Sequence, residues 1–288
     1  MDSKLDQRIE TLIGLALEED LDQAGDVTSL NFVPADHRST GSINARESCV
    51  VSGLEIATRV FKKIDSNIEI DFVVSEGTAL DLGDCAMKIS GPTQSILTAE
   101  RTALNFLQWL SGISTLTRSF VELVSHTKAK ILDTRKTTPG WRLLEKAAVA
   151  AGGGTNHRMG LFDAVMVKDN HLVAENKASA LEKGIRGVRE IHPEIKIELE
   201  ADTLEQVKTF LALEAVDVIL LDNMTLEQLR SAVTMRDESA PTVLLEASGG
   251  VNLTTAESIS ETGVDYISIG ALTHSATAVD LGLDLKSA

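Results

Sequence analysis

The stretch from Ile131 to His171, ILDTRKTTPGWRLLEKAAVAAGGGTNHRMGLFDAVMVKDNH, concentrates the residues best equipped for chemistry. Between Asp133 and Asn170 it carries Arg135, Lys136, His157, Arg158 and Lys168 around the run Gly152-Gly153-Gly154. Arg grips planar carboxylates with two hydrogen bonds and Lys supplies a compact charge, so the mixture suits a ligand bearing both carboxylates and phosphates. The chain as a whole has a formal net charge of −16. Cations gathered in one stretch of so acidic a protein predict a local site for a small polyanion. The three glycines let backbone approach a ligand or turn through positive φ, although a helix stop after Ala151 explains one of them equally well. His157 reads either as a structural hydrogen-bonder or as a neutral donor held among cations. The plainer alternative for the cations is a set of ion pairs balancing Glu200 and Asp222.

Two carboxylates and two glycine turns extend the pattern. Glu200 and Asp222 each end an apolar β-rich run, with Glu198 on the same strand face as Glu200. Carboxylates repel a bare phosphate unless a hard cation or sugar hydroxyls intervene, which points to Mg²⁺ or a ribose. Ser248-Gly249-Gly250 and Ser268-Ile269-Gly270 follow the last two such runs, where backbone N–H groups can form a phosphate cup.

The elements that must position these residues follow from the hydrophobic patterning. From Lys130 onward, the strand candidates KAKILD, DAVMVKD, EIKIELE, VDVILLD, PTVLLEAS and VDYISIG alternate with helical patterns such as TLEQVKTFLALEA and TLEQLRSAVTMRD. Right-handed parallel crossovers bring the strand-terminal residues Asp133, Lys168, Glu200, Asp222, Glu246 and Gly270 to one rim. Six strands are too few for an ordinary eight-stranded barrel. The expected fold is therefore α/β, a distorted, incompletely closed parallel α/β barrel with fewer than eight strands, preceded by an N-terminal α+β domain.

In that first domain, Leu5, Ile9, Leu12, Ile13 and Ala16 mark an amphipathic helix, Ala24–Ser29 reads as a structural turn, and Leu54–Ile64 reads as a helix between short strands. Ile96–Val124 is the longest helical stretch, with an interruption at Gly112. Arg101 lies off its apolar stripe and reads, from spacing, as a surface residue paired with a nearby Glu. The expected divisions are 1–112 for the α+β domain, 113–272 for the catalytic barrel, and a C-terminal segment 273–288 packing back on the first domain.

Composition narrows the function classes. Aromatic residues make up only 3% of the chain, which suits Leu, Ile, Val and Ala layers in parallel βα units. A pI near 4.8 argues against nucleic-acid or anionic-membrane partners. Cys49 and Cys85 have no metal-ligand spacing and are expected to be reduced. No signal-peptide core and no membrane-length apolar run is present, so a cytoplasmic enzyme is expected.

The motifs together are specific. Asp133-Thr134-Arg135-Lys136-Thr137-Thr138-Pro139-Gly140, Gly152-Gly153-Gly154-Thr155-Asn156-His157-Arg158, Lys168-Asp169-Asn170-His171, Leu221-Asp222-Asn223 and Glu246-Ala247-Ser248-Gly249-Gly250 resemble the quinolinate phosphoribosyltransferase family. Glu19-Asp20, Gly25-Asp26-Val27-Thr28 and Glu100-Arg101-Thr102-Ala103-Leu104-Asn105 carry the resemblance into the N-terminal domain. It implies transfer of phosphoribosyl from phosphoribosyl pyrophosphate to quinolinate, giving nicotinate mononucleotide, pyrophosphate and carbon dioxide in NAD synthesis, with Mg²⁺.

It further implies that Arg135, His157, Arg158 and Lys168 surround quinolinate, joined by Arg101 from the neighbouring subunit of a homodimer or higher homo-oligomer, and that Thr134 is also substrate-binding. Lys136 would touch phosphoribosyl pyrophosphate, Glu200 and Asp222 would hold its ribose and Mg²⁺, and Ser248, Gly249, Gly250 and Gly270 would bind its 5′-phosphate. Arg135, Lys136, Lys168, Glu200 and Asp222 are the residues it implies for catalysis. The alternatives are a paralogous phosphoribosyltransferase of molybdenum-transport type and a non-catalytic metabolite-binding barrel.

Overall fold

The computed structural model describes residues 3–171 and 177–287. The chain forms two compact units. The first comprises Met1–Leu116, Pro139–Gly153 and Ala276–Ala288; the second comprises Thr117–Thr138 and Gly154–Ser275. Elements are numbered along the whole chain.

The first unit contains α1 (Ser3–Leu21), α2 (Val27–Phe32), β1 (Arg38–Ala45), β2 (Cys49–Val50), α3 (Leu54–Ile64), β3 (Glu69–Phe72), β4 (Ala79–Leu80), β5 (Cys85–Pro92) and most of α4 (Thr93–Val124). Later segments add α5 (Arg142–Ala151) and β12 (Leu281–Ser287). Its main sheet runs β12-β1-β5-β3, with each neighbouring pair antiparallel. The C-terminal β12 lies beside β1, with Leu281 opposite Ala45.

Two local expectations change here. The turn expected at Ala24–Ser29 leads into α2, because the Asp26 carboxylate accepts the backbone N–H groups of Thr28 and Ser29 at 3.0 and 2.9 Å and so caps a helix. The interruption expected at Gly112 is absent, and α4 runs unbroken for 32 residues. Gly112 serves a close approach instead: a Cβ there would stand 2.1 Å from the Thr277 carbonyl oxygen.

The second unit contains β6 (Lys130–Leu132), β7 (Ala164–Val167), α6 (Lys177–Ile191), β8 (Lys196–Ala201), α7 (Leu204–Leu211), β9 (Val218–Asp222), α8 (Leu226–Ser239), β10 (Leu244–Ser248), α9 (Ala256–Ser260), β11 (Tyr266–Ser268) and α10 (Ala271–His274). Strand runs such as Val218–Leu221 are buried at every position, as a sheet covered on both faces requires. Thr203 with Gln206 and Thr225 with Gln228 form reciprocal capping boxes that start α7 and α8.

The six strands pair in parallel in the order β6-β11-β10-β9-β8-β7. Among the described residues β6 and β7 do not pair with each other, so the sheet is an open barrel. Thr155 partly fills the gap: its N–H donates to the Ile131 carbonyl at 2.8 Å, and its carbonyl accepts the Asp133 N–H at 3.2 Å. That bridge places the following residues, Asn156 to Arg158, against the first strand. No helix among the described residues is long and apolar enough to cross a membrane.

Candidate active site

The carboxyl ends of the parallel strands surround a cleft of about 780 Å³. Its lining includes Thr134, Arg135, Lys136, His157, Arg158, Lys168, Glu200, Asp222, Ser248, Gly249, Gly250 and Gly270. One cavity thus gathers residues spread over more than a hundred positions, all from the second unit. Arg101 belongs to the first unit, where it is exposed on α4.

The cations sit on the side formed by β6, the Thr155 segment and β7. Arg135 and Arg158 are both half-buried. The Arg158 guanidinium donates to the Ala164 carbonyl at 3.0 Å and approaches the Met166 sulfur at 3.7 Å. Burial first, and the charge of Arg135 second, lower its pKa from the ordinary arginine value, with Glu198 and Asp163 opposing. Two guanidiniums held close enough to repel are stabilised by an anion placed between them. Lys136 is exposed and threaded through the rim: the Thr273 hydroxyl donates to its carbonyl at 2.8 Å, and its N–H donates to the Thr134 hydroxyl at 3.0 Å.

Lys168 forms an ion pair with Glu200. Glu200 lines the cleft, while Glu198, one pleat back on the same face of β8, is 3% exposed and lies below it. The strand-face pattern alone left these two indistinguishable; distance from the strand end separates them. Asp222, at the end of β9, accepts from the Asn223 side-chain amide at 2.8 Å.

The late glycine turns, after β10 and β11, complete the lining. Gly249 and Gly250 have φ of +95° and +62°, a region that favours glycine. Their turn is tied to the end of β9 by the Asn223 N–H, which donates to the Ser248 carbonyl at 2.8 Å. Gly270 leaves no free space either, since a Cβ would meet Lys136 Cδ and His274 Nε2, both at 3.0 Å.

His157 has carboxylates as well as cations around it. Its backbone N–H donates to the fully buried Asp133 at 2.7 Å, Nδ1 accepts the Arg158 N–H at 2.8 Å, and Nε2 lies 3.0 Å from Glu198 and 3.6 Å from Glu246. Both ring nitrogens are therefore engaged within the protein. Glu246 is 2% exposed, and burial together with the neighbouring Glu198 carboxylate pushes its pKa up to about 8, against the pull of His157 and Ser268. The sequence marks Glu246 as a strand end and as the first residue of the Glu246-Ala247-Ser248-Gly249-Gly250 motif, without a role in the chemistry. It assigned no role to Asn223, Met166 or His274, which also line the cleft; position two residues before Ser248 on one strand face was the available signal for Glu246.

Similarity to known proteins agrees with this architecture. A family profile described as "Quinolinate phosphoribosyl transferase, N-terminal domain" matches residues 26–111, and one described as "Quinolinate phosphoribosyl transferase, C-terminal domain" matches residues 113–284. The chain is 44% identical over 272 residues to the nicotinate-nucleotide pyrophosphorylase [carboxylating] of Mycobacterium leprae, covering 94% of each chain. It is 39% identical over 294 residues to the chloroplastic nicotinate-nucleotide pyrophosphorylase [carboxylating] of Oryza sativa, covering 97% of this chain and 78% of that one. The solved structure of the nicotinate-nucleotide pyrophosphorylase from Francisella tularensis superposes with a TM-score of 0.89 at 36% identity, covering 97% of this chain and 96% of that one. With both domain profiles matched, and relatives this similar along nearly its whole length, the chain belongs to the quinolinate phosphoribosyltransferase family.

Proposed function

We propose that this chain transfers phosphoribosyl from phosphoribosyl pyrophosphate to quinolinate with decarboxylation, yielding nicotinate mononucleotide, carbon dioxide and pyrophosphate for NAD synthesis. The observation that carries the reading is that one cleft gathers Arg135, Lys136, Arg158 and Lys168 with the strand-end carboxylates Glu200 and Asp222 and the glycine turns after β10 and β11. A planar dicarboxylate suits the Arg135 and Arg158 guanidiniums, with Lys168 and Thr134 beside them. A sugar 5′-phosphate suits the exposed backbone of Ser248, Gly249, Gly250 and Gly270. Lys136 suits the pyrophosphate.

The chemistry follows from those placements. Departure of pyrophosphate gives the anomeric carbon oxocarbenium character, which the negative charges of Glu200 and Asp222 stabilise. Lys136 and Lys168 counter the charge that leaves. The pyridine nitrogen, fixed by its neighbouring carboxylates, attacks the exposed carbon, so positioning replaces a covalent nucleophile. The quaternised ring then stabilises the carbanion left when the adjacent carboxylate departs as carbon dioxide.

Glu200 and Asp222 are hard oxygen donors on the adjacent strands β8 and β9. Two carboxylates fit Mg²⁺, which takes few protein ligands and completes its shell with water and substrate phosphates. When bound it would neutralise pyrophosphate. Arg101, exposed on α4, would act in the site of a neighbouring subunit of a homodimer. The two free thiols support a reducing, cytoplasmic setting.

The deciding assay incubates the protein with quinolinate and phosphoribosyl pyrophosphate, with and without Mg²⁺, and measures nicotinate mononucleotide and carbon dioxide. Mg²⁺-dependent formation of both is expected. Turnover of other pyridine or purine bases in place of quinolinate would reject the reading.

A further inference from the structure

A second cavity, of about 170 Å³, lies at the other end of the parallel strands, reached by Ala164, Lys196, Val218 and Tyr266, the first residues of β7, β8, β9 and β11. It shares three residues with the substrate cleft: His157, Arg158 and Glu246. These side chains form a partition between the two spaces. Glu198 borders the inner space, and Glu246 borders both.

The partition has the look of a metal centre. One donor atom each of His157, Glu198 and Glu246 lies within 4.8 Å of the others. The hydrogen bonding argues otherwise. Nδ1 of His157 accepts a backbone N–H, so the proton of the neutral ring is on Nε2, and a protonated nitrogen cannot ligate a metal. The cluster must be neutralised by protons instead.

Glu198 is 3% exposed and Glu246 2%, and one oxygen of each, Oε1, has no hydrogen-bond partner. Two carboxylates so close and so dry do not both ionise; one retains a proton. Nε2–H of His157 is 3.0 Å from Glu198 and 3.6 Å from Glu246, and Glu198 also lies in the field of Arg158. Both features leave Glu246, the more buried of the two, as the carboxyl that keeps the proton. The groups facing Glu246 from the surrounding elements are Glu198 on β8, His157 after the Thr155 bridge, Asp133 after β6, and on β11 the Ser268 hydroxyl and Tyr266, its register partner, which also lines the inner cavity; its register partner on β9, Leu220, is apolar.

We propose that Glu246, held as a neutral carboxylic acid between the two cavities, supplies the proton that replaces the lost carboxylate on the substrate ring. This rests on the decarboxylating activity proposed above. As the bond between the ring carbon and the departing carboxylate breaks, its electron pair takes the Glu246 O–H proton in the same step, so carbon dioxide leaves only as that proton is delivered. Glu246 becomes, transiently, a carboxylate beside Glu198. Water in the inner cavity restores the proton while the cleft is still filled by product.

The test separates carbon dioxide release from pyrophosphate release between pH 6 and 9.5, using the full-length protein with quinolinate, phosphoribosyl pyrophosphate and Mg²⁺. In the wild type, carbon dioxide release falls about tenfold per pH unit above about pH 8, as the donor ionises, while single-turnover pyrophosphate release does not. Glu246→Gln, checked for folding by its melting curve, slows carbon dioxide release roughly 100-fold or more, loses the alkaline fall, and accumulates the dicarboxylate nucleotide. Carbon dioxide release that stays level to pH 9.5 in the wild type, or parallel loss of both products, overturns the proposal without any variant. So does a folded Glu246→Gln with an unchanged pH profile. Absence of carbon dioxide from the wild type at every pH instead overturns the underlying reading of the reaction, and the proposal with it.

Discussion

Gly249 and Asn223 touch so closely that a Cβ on Gly249 would stand 2.1 Å from the Asn223 side-chain oxygen and 3.0 Å from its backbone nitrogen. Gly249 opens the turn after β10, and Asn223, at φ +53°, directly follows β9. The contact joins the turn suited to the phosphate to the strand end that carries Asp222. A side chain at residue 249 would have to displace one of them.

Gly249→Ala is therefore expected to combine left-handed backbone strain with a steric clash, costing about 1–3 kcal/mol of stability. The clash is at the site, so KM for phosphoribosyl pyrophosphate should rise tenfold or more, while KM for quinolinate changes little. Melting curves and two-substrate kinetics check both parts; equal effects on the two substrates would show that the turn does not belong to the phosphate side.

The Lys168–Glu200 pair puts one cation and one carboxylate with different expected ligands in contact before either ligand arrives. The Lys168 side chain is 41% exposed and that of Glu200 12%, so the pair is a rim contact that substrate can exchange at modest cost. Lys168→Met should leave the melting temperature close to wild type and lower kcat/KM for quinolinate by about 100-fold or more, on the scale of a lost charged anchor. Near-normal kcat/KM would reduce the pair to a structural ion pair.

Glu246 also governs how stability varies with pH. Its folded pKa, about 8, is above the ordinary carboxylate value of 4.5. Between those values the unfolded chain releases the proton and the folded chain keeps it, so the folded state binds more protons and this group's contribution to stability falls as pH rises. Above about pH 8 both states are ionised and the loss is complete. Glu246→Gln has no such proton to keep. Its melting temperature relative to wild type should climb from pH 5 to pH 8 and then level off; a constant difference across that range would mean that Glu246 ionises normally.

Much of the architecture was legible because its signals are local. Buried β-branched runs ending in Asp222 or Glu246, and Thr-x-x-Gln starts such as Thr203 to Gln206, announce strand and helix without reference to the rest of the chain. Depth is not local. Glu198 and Glu200 share a strand face, and only the height of β8 within the sheet decides that one is covered and the other meets the cleft. The same limit applies to His157, whose carboxylate neighbours Glu198 and Glu246 arrive from strands 41 and 89 positions further along. Gly112 looked like a helix breaker because its reason, the Thr277 carbonyl, lies far away in the chain.

Arg101 and Lys168 offer the sharpest test of the proposed homodimer. If Arg101 completes a neighbour's site, Arg101→Ala and Lys168→Met are each inactive alone for different reasons, and their defects fall in different sites of a mixed dimer. One site then lacks both side chains and the other has both. Random exchange between equal amounts of the two variants should restore about a quarter of wild-type sites, because half of the dimers are mixed and each has one intact site. Exchange under mild denaturant, followed by assay of nicotinate mononucleotide, measures this directly. Recovery near zero after demonstrated exchange would place Arg101 in its own subunit's site or outside the chemistry altogether.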